Sequence, residues 1–337
     1  MDNDVLEGAN CPALSTLLSR GRPARLAALS LEAALMGLFG HPEGTPCGAL
    51  RRLGENVAMP GKEGNCWVCA DPIHLRFHQN RLVLADASTL RVCLDEAESL
   101  VADLNRHFAD VGHFHATSPE RWYLRPTDET SFCSLTTPPL SVVAGRSIER
   151  LLLDTLPDRA SRKLLNEIQT FLHSHSVNQQ REKDGLPSIN SMWLWGAGSL
   201  PSRSESEFGA AWSNHPLALG LAHAANVPAH PLPDGASVFL SQASSSAHHL
   251  IVLEDCLSPV CYEDSEAYRK ALDALEKRWF APLRDALVSD QIKHLRLTTT
   301  TVHGSWFWEC NRRDHWRFWQ RRLSLSEIAG NLVRSMP

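Results

Sequence analysis

The chain has 337 residues, 43% hydrophobic and 21% charged, an ordinary globular make-up with room for two domains or one large one. A formal net charge of -5 gives no electrostatic basis for binding nucleic acid or an anionic membrane, and no run approaches the ~18 apolar residues of a bilayer span. The nine cysteines are irregularly spaced and the N-terminus has no charged region followed by a long apolar one, so a reduced cytoplasmic setting is expected.

Pro12 to Arg20 sets apolar residues at helical spacing with Gly21 as a stop, and Leu26 to Phe39 reads as a second apolar helix. From Gly54 the pattern changes. Pro60 to Gly64 is a loop, Cys66 to Leu75 and Arg81 to Leu84 read as strands, Leu94 to Phe108 as an amphipathic helix, and Gly112 to Ala116 and Arg121 to Leu124 as further strands. Cys66-x-x-Cys69 has the spacing of a zinc or redox pair, but a structural zinc needs four ligands and no second C-x-x-C exists, so buried thiols in a strand are the alternative. His113 and His115 share one strand face with no partnered carboxylate, which reads as packed or solvated imidazoles.

Cys133 to Ala144 is a Pro- and Thr-rich connector, and Glu149 to His173 is a long helical region broken near Pro157. It leads into HSVNQQREKDGLPSINSMWLWGAGSLP, residues 175–201. His175, Asn178 and Arg181 are three residues apart and share one face of a helix that Gly185 ends. Ile189 to Leu194 then reads as a buried strand, and Gly196-Ala197-Gly198 permits a sharp turn or the close approach of a ligand. Beyond a polar loop at Ser199 to Phe208, His215 to Ala225 is a helix and Val238 to Gln242 and His249 to Glu254 are buried strands. Tyr262 to Val288 is a long amphipathic helix and Ile292 to Thr300 a strand. Ser305 to Arg322 holds four tryptophans and five arginines. It reads as a last helix packed through its aromatic residues, as a protein interface, or as a base-stacking surface.

The pattern H-x-V-N-x-x-R-x-x-x-G-x-x-x-x-N-x-x-x-x-x-G-x-G, His175 to Gly198, resembles the middle of the archaeal-type cofactor-independent phosphoglycerate mutases of the alkaline phosphatase superfamily. It is similar more closely still to the bacterial RpfE-type regulatory proteins, divergent relatives of those mutases. The resemblance implies an α/β fold: a mainly parallel sheet with helices on both faces, built from residues 1–53 and 188–337, and an inserted α+β cap at 54–187. It sets Ser30 on the mutases' phosphoryl-accepting serine, although a helix N-cap would serve that residue equally.

The residues that should surround such a serine have changed. No strand ending in an acidic ligand precedes the first helix, where Asp2 and Asp4 lie in a polar context. Leu31 follows Ser30 where the mutases carry an acidic residue, and Thr136 to Pro139 replaces an acidic stretch. Trp195 stands where an arginine would precede Gly-x-Gly. Asp255 lacks the histidine four residues on, and Thr298 to Thr301 stands where an Asp-His pair is expected, with His303 displaced. A two-metal centre needs several ligands per ion, so the resemblance implies a protein that has lost it and carries no metal or other cofactor. The expectation is a regulatory or small-anion-sensing protein, holding phosphate or carboxylate through His175, Asn178, Arg181, Asn190, Trp195, Gly196 and Gly198. The alternatives are an active metal-dependent phosphomutase or phosphatase using Ser30, and a protein-interaction module using Trp306, Trp308, Trp316 and Trp319.

Overall fold

The computed structural model describes every residue except 1–2, 56–65, 80, 133–134, 150, 152–158, 202–203, 245–246, 302–303, 318 and 335–337. The expected loop at Pro60 to Gly64, the break near Pro157, and Asp2, Cys133 and His303 therefore lie outside the described residues. The chain divides into two compact units. One comprises Met1–Ala34, Glu207–Asn214 and Val227–Pro337, the other Leu35–Ser206 and His215–Asn226.

The second unit is built on an antiparallel sheet of β2 (Cys66–His78), β3 (Arg81–Asp86), β4 (Gly112–Ser118), β5 (Arg121–Pro126) and β6 (Ser191–Ser199). The strand order is β3-β2-β5-β4, with β6 also paired to β2. Antiparallel pairing follows from the connections. His78 pairs with Arg81 across a two-residue turn in which Gln79 takes a left-handed φ of 48°, and Ser118 pairs with Arg121 in the same way.

Helix α4 (Leu94–His107) buries Ala97, Leu100, Val101 and Leu104, the i, i+3, i+4, i+7 face its sequence pattern predicts. Glu96 reaches back to the Cys93 backbone N–H at 2.9 Å and starts the helix. That face joins Val68, Phe114, Trp122, Leu124 and Leu194 from the sheet, and Ile168 and Leu172 from α5 (Arg159–Ser174), in one apolar cluster. Helix α3 (Gly48–Leu53) crosses α7 (Pro216–Ala224) so closely that a Cβ on Gly220 would lie 1.7 Å from the Leu50 carbonyl oxygen. Glycine is required there because two backbones touch.

In the first unit, α1 (Pro12–Arg20) begins where the buried Glu276 carboxylate accepts from the Ala13 and Leu14 N–H groups at 2.6 and 3.0 Å. A sheet of β1 (Arg22–Leu26), β10 (His294–Thr301) and β11 (Gly304–Asn311) is antiparallel in the order β1-β11-β10. Among the described residues, parallel pairing is confined to β7 (Phe208–Trp212), β8 (Ala229–His230) and β9 (His248–Ile251), ordered β8-β7-β9. The expected mainly parallel sheet is thus corrected: among the described residues the protein is mixed α/β with mostly antiparallel sheets.

Four element assignments change. The Leu26 to Phe39 stretch is the end of β1, a loop, and α2 (Leu31–Leu38). Val238 to Gln242 belongs to helix α8 (Ala236–Gln242). The aromatic start of Ser305 to Arg322 is strand β11, with Trp306 and Trp308 buried in the same core as Trp212, Trp279 and Phe280. The predicted helix of Tyr262 to Val288 is α9 (Ser265–Leu275) and α10 (Ala281–Val288), joined through a π-helical segment that contains Glu276.

Candidate functional site

The H-x-x-N-x-x-R residues sit on α6 (Ser176–Lys183), a two-turn helix between α5 and β6. His175 caps it: its Nδ1 accepts from the Val177 N–H at 3.2 Å, and its Nε2–H points at Asp103 Oδ2, 3.0 Å away. Burial, and then the nearby Arg106 charge, hold this imidazole below its ordinary range, in keeping with a neutral ring that accepts at one nitrogen and donates at the other.

Asn178 is 1% exposed and uses both amide hydrogens and its oxygen inside the protein. Its Nδ2 donates to the Leu172 and Ile189 carbonyls at 2.7 and 2.8 Å, while Oδ1 accepts from the Ile189 N–H at 2.7 Å. It therefore joins the end of α5 to the approach to β6. Arg181, also 1% exposed, gives Nε to the Pro187 carbonyl at 2.8 Å, Nη1 to Glu96 at 2.7 and 2.9 Å, and Nη2 to the Leu90 carbonyl. Its donors are taken up by Glu96 of α4, the Leu90 carbonyl and the loop leading to β6. A phosphate would have to displace the Glu96 carboxylate to reach it.

Asn190 serves as an extra strand rung, its amide accepting from the Leu75 N–H at 2.7 Å and donating to the Leu75 carbonyl at 2.9 Å. Gly196 has a left-handed φ of 64°, with Cys47 and Gly48 as its close neighbours. At Gly198 a Cβ would meet Pro46 at 2.4 Å. Both glycines lie within β6, and the close approach they permit is to this chain's own residues 46–48.

Trp195 belongs to a buried charged network that sequence reasoning missed. Its Nε1 donates to Asp71 Oδ2 at 2.8 Å, and Arg51 Nη1 donates to Asp71 Oδ1 at 3.0 Å. The Arg51 guanidinium lies 5.2 Å from the ring centroids of both Trp195 and Tyr123, and that of Arg52 lies 5.2 Å from Trp67. Next to it, Glu55 accepts from Arg121 at 2.8 and 3.1 Å and from the Tyr123 hydroxyl. Burial pushes the Asp71 carboxyl up from the usual carboxylate range, while Arg51 and the Trp195 hydrogen bond pull it back. Burial likewise raises the Tyr123 phenol and Cys69 thiol well above their ordinary values. The signal available in the sequence was Asp71, a charge inside the apolar run CWVCADPI: a buried strand accommodates a carboxylate only beside a cation.

Ser30 Oγ accepts from the Ala33 N–H at 3.1 Å, the N-cap geometry of α2. Asp255 faces Arg278 at 3.9 Å, and Thr298 to Thr301 are paired along β11. Among the described residues no three His, Cys, Asp or Glu side chains are grouped to hold a metal ion. Cys66 and Cys69 are buried in β2, whereas the rings of His113 and His115 meet at 3.1 Å. Of the four C-terminal tryptophans, Trp306 and Trp308 are core, while Trp316 and Trp319 are 60% and 70% exposed.

The first unit also carries a cleft of about 650 Å³ beside the parallel sheet, where Trp212 stacks on His230 at 4.3 Å. There Trp212 Nε1 donates to His249 Nδ1 at 3.4 Å and His249 Nε2 to the Ser244 carbonyl at 2.8 Å, so both rings turn their polar atoms on the protein.

No protein-family model matches the chain, and no curated protein matches it. Among solved structures it is similar to the cofactor-independent phosphoglycerate mutase of Thermoplasma acidophilum DSM 1728, at 16% identity over 96% of this chain and 88% of that one, with a TM-score of 0.42. It is similar also to the PH0037 protein of Pyrococcus horikoshii, at 14% identity over 91% of this chain and 81% of that one, with a TM-score of 0.53. The second likeness shows a shared fold.

Proposed function

We propose that the chain is a binding or regulatory protein on a phosphoglycerate mutase-like scaffold, related to the RpfE-type proteins that its central motif resembles, and that it does not transfer phosphoryl groups. The observation that carries this reading is the complete internal use of the motif. The guanidinium, amides and imidazole that the resemblance assigns to substrate are hydrogen-bonded to Glu96, Asp103 and the backbone of residues 75, 90, 172, 187 and 189. The change of an arginine position to Trp195 supports it, since an indole offers one N–H where bidentate phosphate recognition needs a fork. So does Ser30, whose oxygen is engaged in starting a helix.

The test is turnover of 3-phosphoglycerate and of p-nitrophenyl phosphate by the purified protein with manganese, zinc or magnesium added, in wild type and Ser30→Ala, together with elemental analysis of the unchelated protein. The expected result is no turnover above buffer in either protein. Turnover that disappears with Ser30→Ala and with chelation would overturn the reading in favour of a surviving metal-dependent phosphotransferase.

A further inference from the structure

Beyond the buried Arg51 and Arg181, the first unit brings several arginines together around one depression. A depression of about 500 Å³ is lined by Thr16, Arg20, Arg284, Asp285, Val288 and Arg322. Its walls are rigid. Helices α1 and α10 share the apolar cluster through Leu14, Leu17, Leu283 and Leu287, which puts Arg20 and Arg284 on packed helices. The segment carrying Arg322 is tied to the end of α1: Arg317 Nη1 donates to the Arg20 carbonyl at 3.2 Å, and the Leu323 N–H donates to Ser19 Oγ at 3.0 Å.

Three guanidinium groups and one carboxylate line this depression, a formal charge of 3 − 1 = +2 on a chain whose net charge is -5. Asp285 is already engaged, its Oδ1 accepting from Arg284 Nε and Nη2 at 2.9 and 2.6 Å. Arg322 is exposed and makes no ion pair or hydrogen bond with a described residue. Like charges held together on packed helices repel one another, and a multiply charged anion relieves that repulsion while engaging several N–H donors at once. Trp319, 70% exposed, is three residues before Arg322 on the same tethered segment, within about 11 Å along the chain. Its exposure makes it the aromatic residue of that segment to test for stacking with a planar ring.

We infer that this depression binds a pyrophosphoryl group, either as free inorganic pyrophosphate or carried by a nucleoside polyphosphate whose base stacks on Trp319. One phosphate contacts Arg322, and the next lies by Arg284. Asp285 opposes binding, so its neutralisation strengthens it. The inference goes beyond the function proposed above and stands or falls separately from the Ser30 assays, because none of its residues belongs to the central motif.

The test is calorimetric titration of the full-length protein with sodium pyrophosphate, with ATP and with sulfate, at ~50 and ~200 mM salt. The expected results are pyrophosphate binding that weakens with salt, a loss of roughly tenfold or more in Arg284→Ala and in Arg322→Ala, partial retention in Arg322→Lys, and tighter binding in Asp285→Asn. Unchanged circular dichroism and melting in these variants show that the loss is local. ATP binding tighter than pyrophosphate, with the advantage removed by Trp319→Ala, identifies the nucleotide as the source. Equal binding of the two identifies the phosphates alone. Absence of pyrophosphate and ATP binding at millimolar concentration, sulfate binding as tightly as pyrophosphate, or an unchanged affinity in the Arg284→Ala/Arg322→Ala double variant would each overturn the inference.

Discussion

Two sets of arginines in this protein differ in what surrounds them. In the Leu35–Ser206 unit, Arg51 and Arg181 are buried and met by carboxylates, carbonyls and aromatic faces, so their charges are answered by the fold. In the other unit, Arg20, Arg284 and Arg322 line an open depression that holds one carboxylate among them. A buried guanidinium costs several kcal/mol to desolvate and survives only with geometrically complete partners, whereas one that still reaches solvent, as Arg322 does, keeps its hydration and can exchange water for a ligand. The difference separates an arginine that holds the protein together from one that can report on its surroundings, and a sequence motif does not draw that distinction.

The comparison is broken most severely at Asp71. Asp71→Ala leaves Arg51 buried without its carboxylate and removes the acceptor of Trp195, an expected loss of ~3–5 kcal/mol read from denaturant unfolding, while Arg322→Ala stays within ~0.5 kcal/mol of wild type. Equal effects of the two variants would abolish the distinction.

Acid provides the next largest effect. Burial, then the Arg51 and Arg121 charges, lower the His215 imidazole to about 3, and burial, then His113 and two arginines, lower that of His115 to about 4. Both rings are neutral in the native state well below the unfolded value of ~6.5, so the unfolded chain takes up protons first. Their contribution to stability is present above pH ~6.5 and is lost as pH falls toward 4 and then 3. Melting temperature measured from pH 7.5 to 4.5 is therefore expected to fall, and His115→Gln is expected to flatten part of the decline. A flat profile over that range would contradict the assignment of neutral buried imidazoles.

A smaller loss is expected at Ser30. Removing its hydroxyl deletes one N-cap bond to Ala33, costing about 1 kcal/mol, and Ser30→Asp is expected to retain most of the stability because an aspartate caps as well. A Ser30→Ala protein as stable as wild type would show that the cap contributes nothing.

Much of the second unit was legible from pattern alone. Helix α4 declares itself through Ala97, Leu100, Val101 and Leu104, and the β2/β3 and β4/β5 pairs through short turns between strand-like runs. The failures have identifiable causes. Val238 to Gln242 is a short apolar run that fits either period. It is helical because Ala236 and Phe239, three apart, face the core while Val238 is exposed. In Ser305 to Cys310 the burial of Trp306, Trp308 and Cys310 has period two, an alternation masked in the sequence by the arginine-rich stretch that follows. Strand β1 was hidden by Pro23, which is tolerated there because β1 is an edge strand paired only with β11.

The candidate site was legible only as a set of residue types. His175, Asn178, Arg181 and Asn190 are important in the fold, but their partners Asp103, Glu96 and Leu75 lie 72, 85 and 115 residues away along the chain. Local spacing carries no information about such partners, and they decide whether a polar side chain faces a ligand or the protein. The arginine-lined depression posed the same problem in reverse: Arg20, Arg284 and Arg322 come from distant segments and form no motif.

The most direct test of the central claim is chemical denaturation of Arg181→Ala beside wild type, with phosphate-ligand binding measured on the same samples. Loss of the fork to Glu96, Leu90 and Pro187 is expected to lower unfolding stability by ~3 kcal/mol or more, with affinity for pyrophosphate unchanged in the protein that remains folded. A variant with wild-type stability that has lost anion binding or turnover would show that the motif arginine serves a ligand, and would contradict the account.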